Sequence, residues 1–284
     1  MDYNQLYQNI LRKGSFLCTG LDSDISLLPD HILQLEYPIF EFNRAIVDAT
    51  KEFSVAYKPN LAFYEAEGAS GWRQLEMTVN YIRESDPSLF IIADAKRGDI
   101  GNTAKRYASA FYDKMDFDAV TLAPFMGRDS VDPFLEHKGK WAIVLALTSN
   151  PSAENFEMLM TRNESGEERA LFREVIEQAM GWGSIENTMF VAGATRPEKL
   201  AEIREFCPDH FLLVPGVGAQ GGTIADVVKY GMNSRCGLLV NVSRSISFAW
   251  RDDTRGRYPN GIGFEMGAAE AAADIAREMQ KYLL

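Results

Sequence analysis

The chain has few of the residues that build metal sites, disulfides and histidine-driven chemistry. Only three cysteines occur in 284 residues, Cys18, Cys207 and Cys236, and none forms a CxxC pair. That odd count excludes a full disulfide framework and argues against structural zinc, so three reduced thiols are expected. Histidine is equally sparse. His31, His137 and His210 stand in no motif, so a triad or a histidine acid–base mechanism is not expected. Neither GxSxG nor a P-loop pattern occurs. The clean apolar runs, such as WAIVLAL at 141–147, are too short to span a bilayer. The N-terminal MDYNQLYQNILRKGSF lacks the apolar stretch of a signal peptide. A cytoplasmic location and no membrane partner are therefore expected. Basic residues are outnumbered, 29 against 40, for a net charge of −11. Such a chain has no general attraction for nucleic acid or anionic lipid, although one cationic pocket stays compatible with that balance.

What is present is an ordinary globular composition, 46% hydrophobic and 24% charged. A chain of this length buries roughly three quarters of its unfolded surface. Eight short apolar runs recur along it: FLCTGLD (16–22), FSVAYKP (53–59), LFIIADAK (89–96), FDAVTLA (117–123), WAIVLALT (141–148), TMFVAGA (188–194), FLLVPG (211–216) and GLLVNV (237–242). Near-continuous apolar runs mark strands covered on both faces. Helical stripes lie between them. Phe42, Ala45, Ile46, Ala49 and Phe53 form one, and Phe264, Ala268, Ala272, Ile275, Met279 and Leu283 another. Over 102–115, Asn102 or Thr103 is expected to cap a helix carrying Ala104, Ala108, Phe111 and Met115. Thr195 precedes a further helix with Pro197 in its first turn.

About eight strand–helix alternations in one chain point to a parallel eight-stranded (β/α)8 TIM barrel, spanning 1–284 as one domain. A doubly wound open sheet is the alternative, but no GxGxxG follows the first run. Two connections are long, 150–168 after the fifth run and 243–263 after the eighth. Both leave the ends of strands where barrels place their sites, and the first is the expected lid.

The charged residues at strand ends carry the candidate chemistry. In IIADAKRGDIGNT, Asp94 and Lys96 are two apart, so regular strand geometry puts them on one face. Asp99 lies beyond Gly98 in the loop and cannot share that face. An intrastrand ion pair with no further role explains the same spacing equally well. Charges beside LFIIA are nevertheless costly unless they are paired or used. Lys58 ends the second run and neighbours the third in a sequential barrel. Alone it reads readily as a solvated rim lysine. With Asp94 and Lys96 it forms an alternating row, with Asp99 as a fourth member. Opposite charges ~4 Å apart attract by roughly 4 kcal/mol at an effective dielectric near 20. Asp22, closing the first run, is either a polar strand end or a ligand for a sugar hydroxyl. Asp22 and Asp24 lack a histidine, and Lys58 nearby would oppose a cation, so no metal is expected. VPGVGAQGGT at 214–223 precedes a helix, and Arg244 follows the eighth run. Glycines allow close backbone approach, a helix N-terminus favours an anion, and loops seven and eight of barrels commonly bind phosphate. Gln220 adds a side-chain donor there.

With these residues in place, the chain resembles the orotidine 5′-phosphate decarboxylase family over about 14–280. The most specific match is D-x-K-x-x-D-I-x-x-T, here Asp94, Lys96, Asp99, Ile100 and Thr103. VPGVGAQGG resembles the family's phosphate loop. KRGDIGNT and the two long connections resemble its longer bacterial subgroup. One departure is Ser243 before Arg244, where shorter members usually carry glycine, which bears on the local backbone. The resemblance implies cofactor-free conversion of orotidine 5′-phosphate to UMP and CO2, the last step of UMP biosynthesis. It implies Lys96 as proton donor, Asp94 near the departing carboxylate, and Lys58 and Asp22 on the ribose side. It implies a homodimer in which Asp99, Ile100 and Thr103 reach the partner's site. Ser149 would bind the pyrimidine amide edge, and Gln220 and Arg244 the phosphate. Two other readings stay open. A metal-dependent 3-keto-L-gulonate 6-phosphate decarboxylase shares D-x-K-x-x-D, but typically has a carboxylate where this chain has Lys58. A non-catalytic nucleotide-binding barrel would have lost one of the four charges.

Overall fold

The computed structural model describes residues 1–162, 165–218 and 221–283. Eight strands form a closed barrel: β1 (Leu17–Leu21), β2 (Ser54–Pro59), β3 (Phe90–Arg97), β4 (Ala119–Leu122), β5 (Trp141–Leu147), β6 (Thr188–Ala192), β7 (Phe211–Pro215) and β8 (Leu238–Val242). Each pairs in parallel with its neighbours in sequence. β1 and β8 close the ring through Leu17–Val240, Cys18–Asn241 and Thr19–Val242. All eight apolar runs become these strands, because helices cover the outside and side chains fill the inside. The open sheet is excluded by the β1–β8 ladder.

An N-terminal helix, α1 (Tyr3–Lys13), is held by a capping box between Asp2 and Gln5 and stopped by Gly14 at φ +59°. It covers the N-terminal ends of the strands. The Tyr3 ring lies 4.8 Å from that of Phe211, and Trp141 Nε1 donates to the Met1 carbonyl at 2.8 Å. Helix α1 thus packs over that end of the barrel, opposite the C-terminal ends of the strands. The stripe at 42–53 belongs to a helix over Pro38–Thr50, and the last stripe to one over Phe264–Gln280. The helix following Thr195 spans Pro197–Phe206. One expectation fails. The helix after β3 spans Gly101–Ser109, with Ile100 at its N-cap and no side-chain cap. Asn102 and Thr103 therefore lie inside the first turn and do not cap it, because Gly101, at φ +57°, turns the chain earlier.

The two long connections differ. After β5, Pro151–Asn155 form a 3₁₀ turn, and Met160–Arg162 pair antiparallel with Glu168–Ala170. Residues 243–263 contain three short helical turns, with Ile246, Ser247, Phe248 and Tyr258 buried. All three cysteines are free and buried.

Candidate active site

Asp22 follows β1, Lys58 is the penultimate residue of β2, and Asp94 and Lys96 lie in the last half of β3. All four thus gather at the C-terminal mouth. Asp94 is the centre: its Oδ2 accepts from Lys58 Nζ at 2.7 Å and its Oδ1 from Lys96 Nζ at 2.6 Å. Lys58 and Asp94 are almost enclosed, with side chains 5% and 10% exposed, whereas Lys96 is 49% exposed and reaches outward. Burial alone pushes Asp94 toward protonation. Lys58 and Lys96 outweigh burial and hold the carboxyl well below the usual carboxylate range. Burial likewise pushes Lys58 toward losing its proton, and Asp94 followed by Asp22 outweighs it, so the ammonium is held above the usual lysine range. The row is therefore a fixed +/−/+ array, set in place before any ligand arrives.

Asp22 stands at its edge. Its Oδ1 is 4.0 Å from Lys58 Nζ and, although that oxygen is buried, accepts no hydrogen bond from the described residues. An unmatched acceptor of this kind suits an incoming hydroxyl. A buried network fixes the chain around it. Ser23 Oγ donates to Asn43 Oδ1 at 2.5 Å, Asn43 Nδ2 donates to Tyr64 Oη at 2.9 Å, and Tyr64 Oη donates to the Leu21 carbonyl at 3.1 Å.

The other predicted residues are placed separately. Asp99 has no ion-pair partner among the described residues, and its carboxylate accepts from the Ile100 amide at 2.8 Å. Ile100 is 50% exposed and Thr103 is exposed on the helix that follows. Ser149 lies just past β5, beside Gly193, where an added Cβ would come within 2.8 Å of Ser149 Cα. With Asn150, Pro151, Glu154, Thr195 and Arg196 it lines an open cleft of about 550 Å³.

The glycine loop after β7 needs its glycines. Gly216, Gly218 and Gly221 have φ of +100°, +82° and +91°. The loop closes on itself through Gly218 N to Gly222 O at 3.0 Å and Gly222 N to Gly216 O at 3.1 Å. Thr223 Oγ1 accepts from the Asp226 amide, capping the helix over Ile224–Gly231. A Cβ at Gly218 would lie 3.3 Å from Ser245 Oγ, so loops seven and eight are neighbours. Arg244 is exposed, with no ion-pair partner among the described residues. Gln220 lies outside the described residues. Ser243 has φ −115°, which needs no glycine, and its Oγ donates to the Gly20 carbonyl at 3.3 Å. Gly20 provides the room: a Cβ there would come within 2.6 Å of Ser243 Cβ. A glycine is thus unnecessary at 243.

Two residues escaped the sequence reading. Thr121 in β4 donates to Asp94 Oδ1 at 3.0 Å. Nothing in FDAVTLA sets it apart, since threonine is a common strand residue. Glu157 accepts from the Thr148 amide at 2.7 Å and from Thr148 Oγ1 at 2.9 Å, tying the inserted segment to the residue before Ser149. It lay among polar residues of a long connection and carried no motif.

A closed parallel barrel with an alternating charge row at its C-terminal mouth and a glycine loop packed against loop eight defines a class of (β/α)8 proteins with a preformed ligand site. The chain belongs to the orotidine 5′-phosphate decarboxylase / HUMPS family, whose model matches residues 15–254. It is 50% identical over 283 residues to an orotidine 5′-phosphate decarboxylase of Phocaeicola vulgatus, covering 100% of this chain and 99% of that one. It is 52% identical to the protein of that name from Parabacteroides distasonis, covering 100% and 96%. The solved structure of Leishmania donovani OMP decarboxylase superposes with a TM-score of 0.79 at 29% identity, covering 100% and 99%.

Proposed function

We propose that the chain decarboxylates orotidine 5′-phosphate to UMP and CO2, without metal or cofactor. The observation that carries this reading is the enclosed Lys58–Asp94–Lys96 row, in which the outer ammonium alone is exposed. The bond from the pyrimidine ring to the carboxylate breaks, and its electron pair stays on the ring carbon. Lys96 stabilises that developing charge and gives the carbon its proton, after which solvent reprotonates Lys96. Asp94 positions Lys96 and lies beside the departing carboxylate. Lys58 and the unmatched Asp22 oxygen take the ribose hydroxyls. Ser149 meets the pyrimidine amide edge, and Arg244 with Gln220 grips the phosphate. Closure of 150–168 over the bound nucleotide turns remote phosphate binding into help for the chemistry.

The working unit in this reading is a cytoplasmic homodimer. Asp99, without an ion-pair partner among the described residues, and the exposed Ile100 support it, since both suit a role in a second copy's site, with Thr103 beside them. Nucleic acid and membrane have no part in it. The metal-dependent keto-gulonate alternative is disfavoured by Lys58, whose ammonium would repel a dication at Asp94. The deciding experiment is the loss of orotidine 5′-phosphate absorbance with and without exhaustive EDTA treatment. Full activity in both is expected. Loss with EDTA and recovery with Mg²⁺ would reverse the assignment.

A further inference from the structure

The residue that completes the charge row is uncharged. β3 and β4 pair at Ile92–Ala119 and Ala93–Val120, and next at Arg97–Leu122. From the second pair to the third, β3 advances from 93 to 97 and β4 only from 120 to 122, so β3 carries two extra residues. Bulges of this kind re-aim side chains beside functional sites. Inside this one Lys96 has φ +48°, in the left-handed region that disfavours residues with a Cβ. Such a conformation persists only where its surroundings hold it. Thr121 supplies that hold from the facing strand. The Lys96 amide, which has no ladder partner in the bulge, donates to Thr121 Oγ1 at 2.9 Å. The Thr121 hydroxyl donates in turn to Asp94 Oδ1 at 3.0 Å, and that same oxygen accepts from Lys96 Nζ at 2.6 Å. One buried hydroxyl, in a residue only 1% exposed, therefore links the backbone of Lys96 to the carboxylate that holds its ammonium.

We propose that Thr121 is a positioning residue that holds the β3 bulge and so aims the Lys96 ammonium. This rests on Lys96 being the proton donor. The role needs a group that accepts and donates at one atom, which a hydroxyl does and a methyl cannot. A misplacement near 1 Å at a reacting group can cost on the order of 10²-fold in rate.

The test compares Thr121→Val, which keeps the shape, with Thr121→Ser, which keeps the hydroxyl. Thr121→Val should lower kcat by at least about 30-fold with KM within about threefold. Thr121→Ser should stay within about threefold of the parent in both. Hydrogen exchange at the Lys96 amide should quicken at least tenfold in the valine variant and remain unchanged in the serine variant. Should Thr121→Val fail to fold, Thr121→Ala carries the same expectations. Unaltered kcat and Lys96 exchange in the valine or alanine variant would overturn the proposal, as would a serine variant as impaired as valine. An inactive parent protein would sink the decarboxylase reading instead, while amide exchange would still decide whether Thr121 holds the bulge.

Discussion

Lys96 sits where backbone energy and electrostatics oppose each other. Its φ of +48° costs about 1–3 kcal/mol for a residue with a Cβ, while the ion pair with Asp94 at 2.6 Å holds its half-exposed ammonium. Replacing Lys96 with alanine keeps the Cβ and removes only the ammonium, so the fold should survive. Turnover of orotidine 5′-phosphate should fall more than about 10⁴-fold, because a proton donor and a charge stabiliser leave together. Steady-state assay of the purified variant measures this, and substantial residual turnover would remove Lys96 from its role. Arg244 carries a different expectation. A charge-assisted bond is worth about 1.5–3 kcal/mol, so Arg244→Ala should weaken UMP binding at least about tenfold. Uridine, which lacks the phosphate, should bind nearly as before. Calorimetric titration with UMP and with uridine decides it, and equal losses would place Arg244 away from the phosphate.

At the scale of elements, β3 shows how a right outcome can rest on an incomplete reason. Period-two alternation puts Asp94 and Lys96 on one face, and their side chains do meet at 2.6 Å. The strand is nevertheless irregular there, and Thr121 on the next strand closes the geometry. A register shift depends on the facing strand, so no reading of β3 alone shows it. The insertion after β5 is the second case. Its polar length signalled a long connection, but its anchoring through Glu157 to Thr148 is a tertiary contact. Glu157→Ala should free the 150–170 segment from the barrel rim. Limited proteolysis should then cut within this segment several-fold faster, and KM for orotidine 5′-phosphate should rise. An unchanged cleavage rate would show that the hairpin and the hydrogen bond from the Phe172 amide to the Glu157 carbonyl, 2.8 Å, hold the segment without the Glu157 side chain.

For the whole molecule, barrel closure matters most, because it sets β1 beside β8. Ser243 and Ser247 both donate to the Gly20 carbonyl, two residues before Asp22. The proposed phosphate end and the charge row are thereby joined through one short piece of backbone. A second copy is the next level. If Asp99 serves the partner's site, mixing inactive Lys96→Ala with inactive Asp99→Ala under subunit exchange should restore activity, since a mixed dimer has one intact site in two. Absence of recovery despite proven exchange would confine the site to one chain. Acid stability belongs at this scale too. His210 is buried near the end that α1 covers, neither ring nitrogen has a partner among the described residues, and burial followed by Arg204 pushes it down to about 4. The unfolded chain thus binds this proton at higher pH than the folded one. Its contribution is fully present above about 6.5 and is lost as pH falls toward 4. At roughly 1.4 kcal/mol per unit, the loss amounts to about 2–3 kcal/mol by pH ~4.5. The His210 ring lies 5.4 Å from that of Phe190, so His210→Phe keeps an aromatic ring there and should flatten this part of the curve, as read from urea midpoints between about pH 7 and 4.5. An unchanged slope would assign the acid sensitivity to other groups.

The sequence by itself determined the eight strands, their order, and the charges standing at their ends. Apolar runs buried on both faces declare themselves locally, and a D-x-K-x-x-D spacing is read along one chain. Lys58, Asp94 and Lys96 were legible for that reason, and so was the glycine loop, whose positive φ values demand glycine at Gly216, Gly218 and Gly221. Tertiary structure alone decided the bulge in β3, the hydroxyl of Thr121 that spans it, the Glu157 anchor and the space that Gly20 leaves for Ser243. Each of these is a contact between residues distant in sequence, and its residue type is common wherever strands and loops occur. Their chemistry is ordinary, and only their juxtaposition gives it a role, because a hydrogen bond depends on ångström-scale placement that composition and periodicity do not encode.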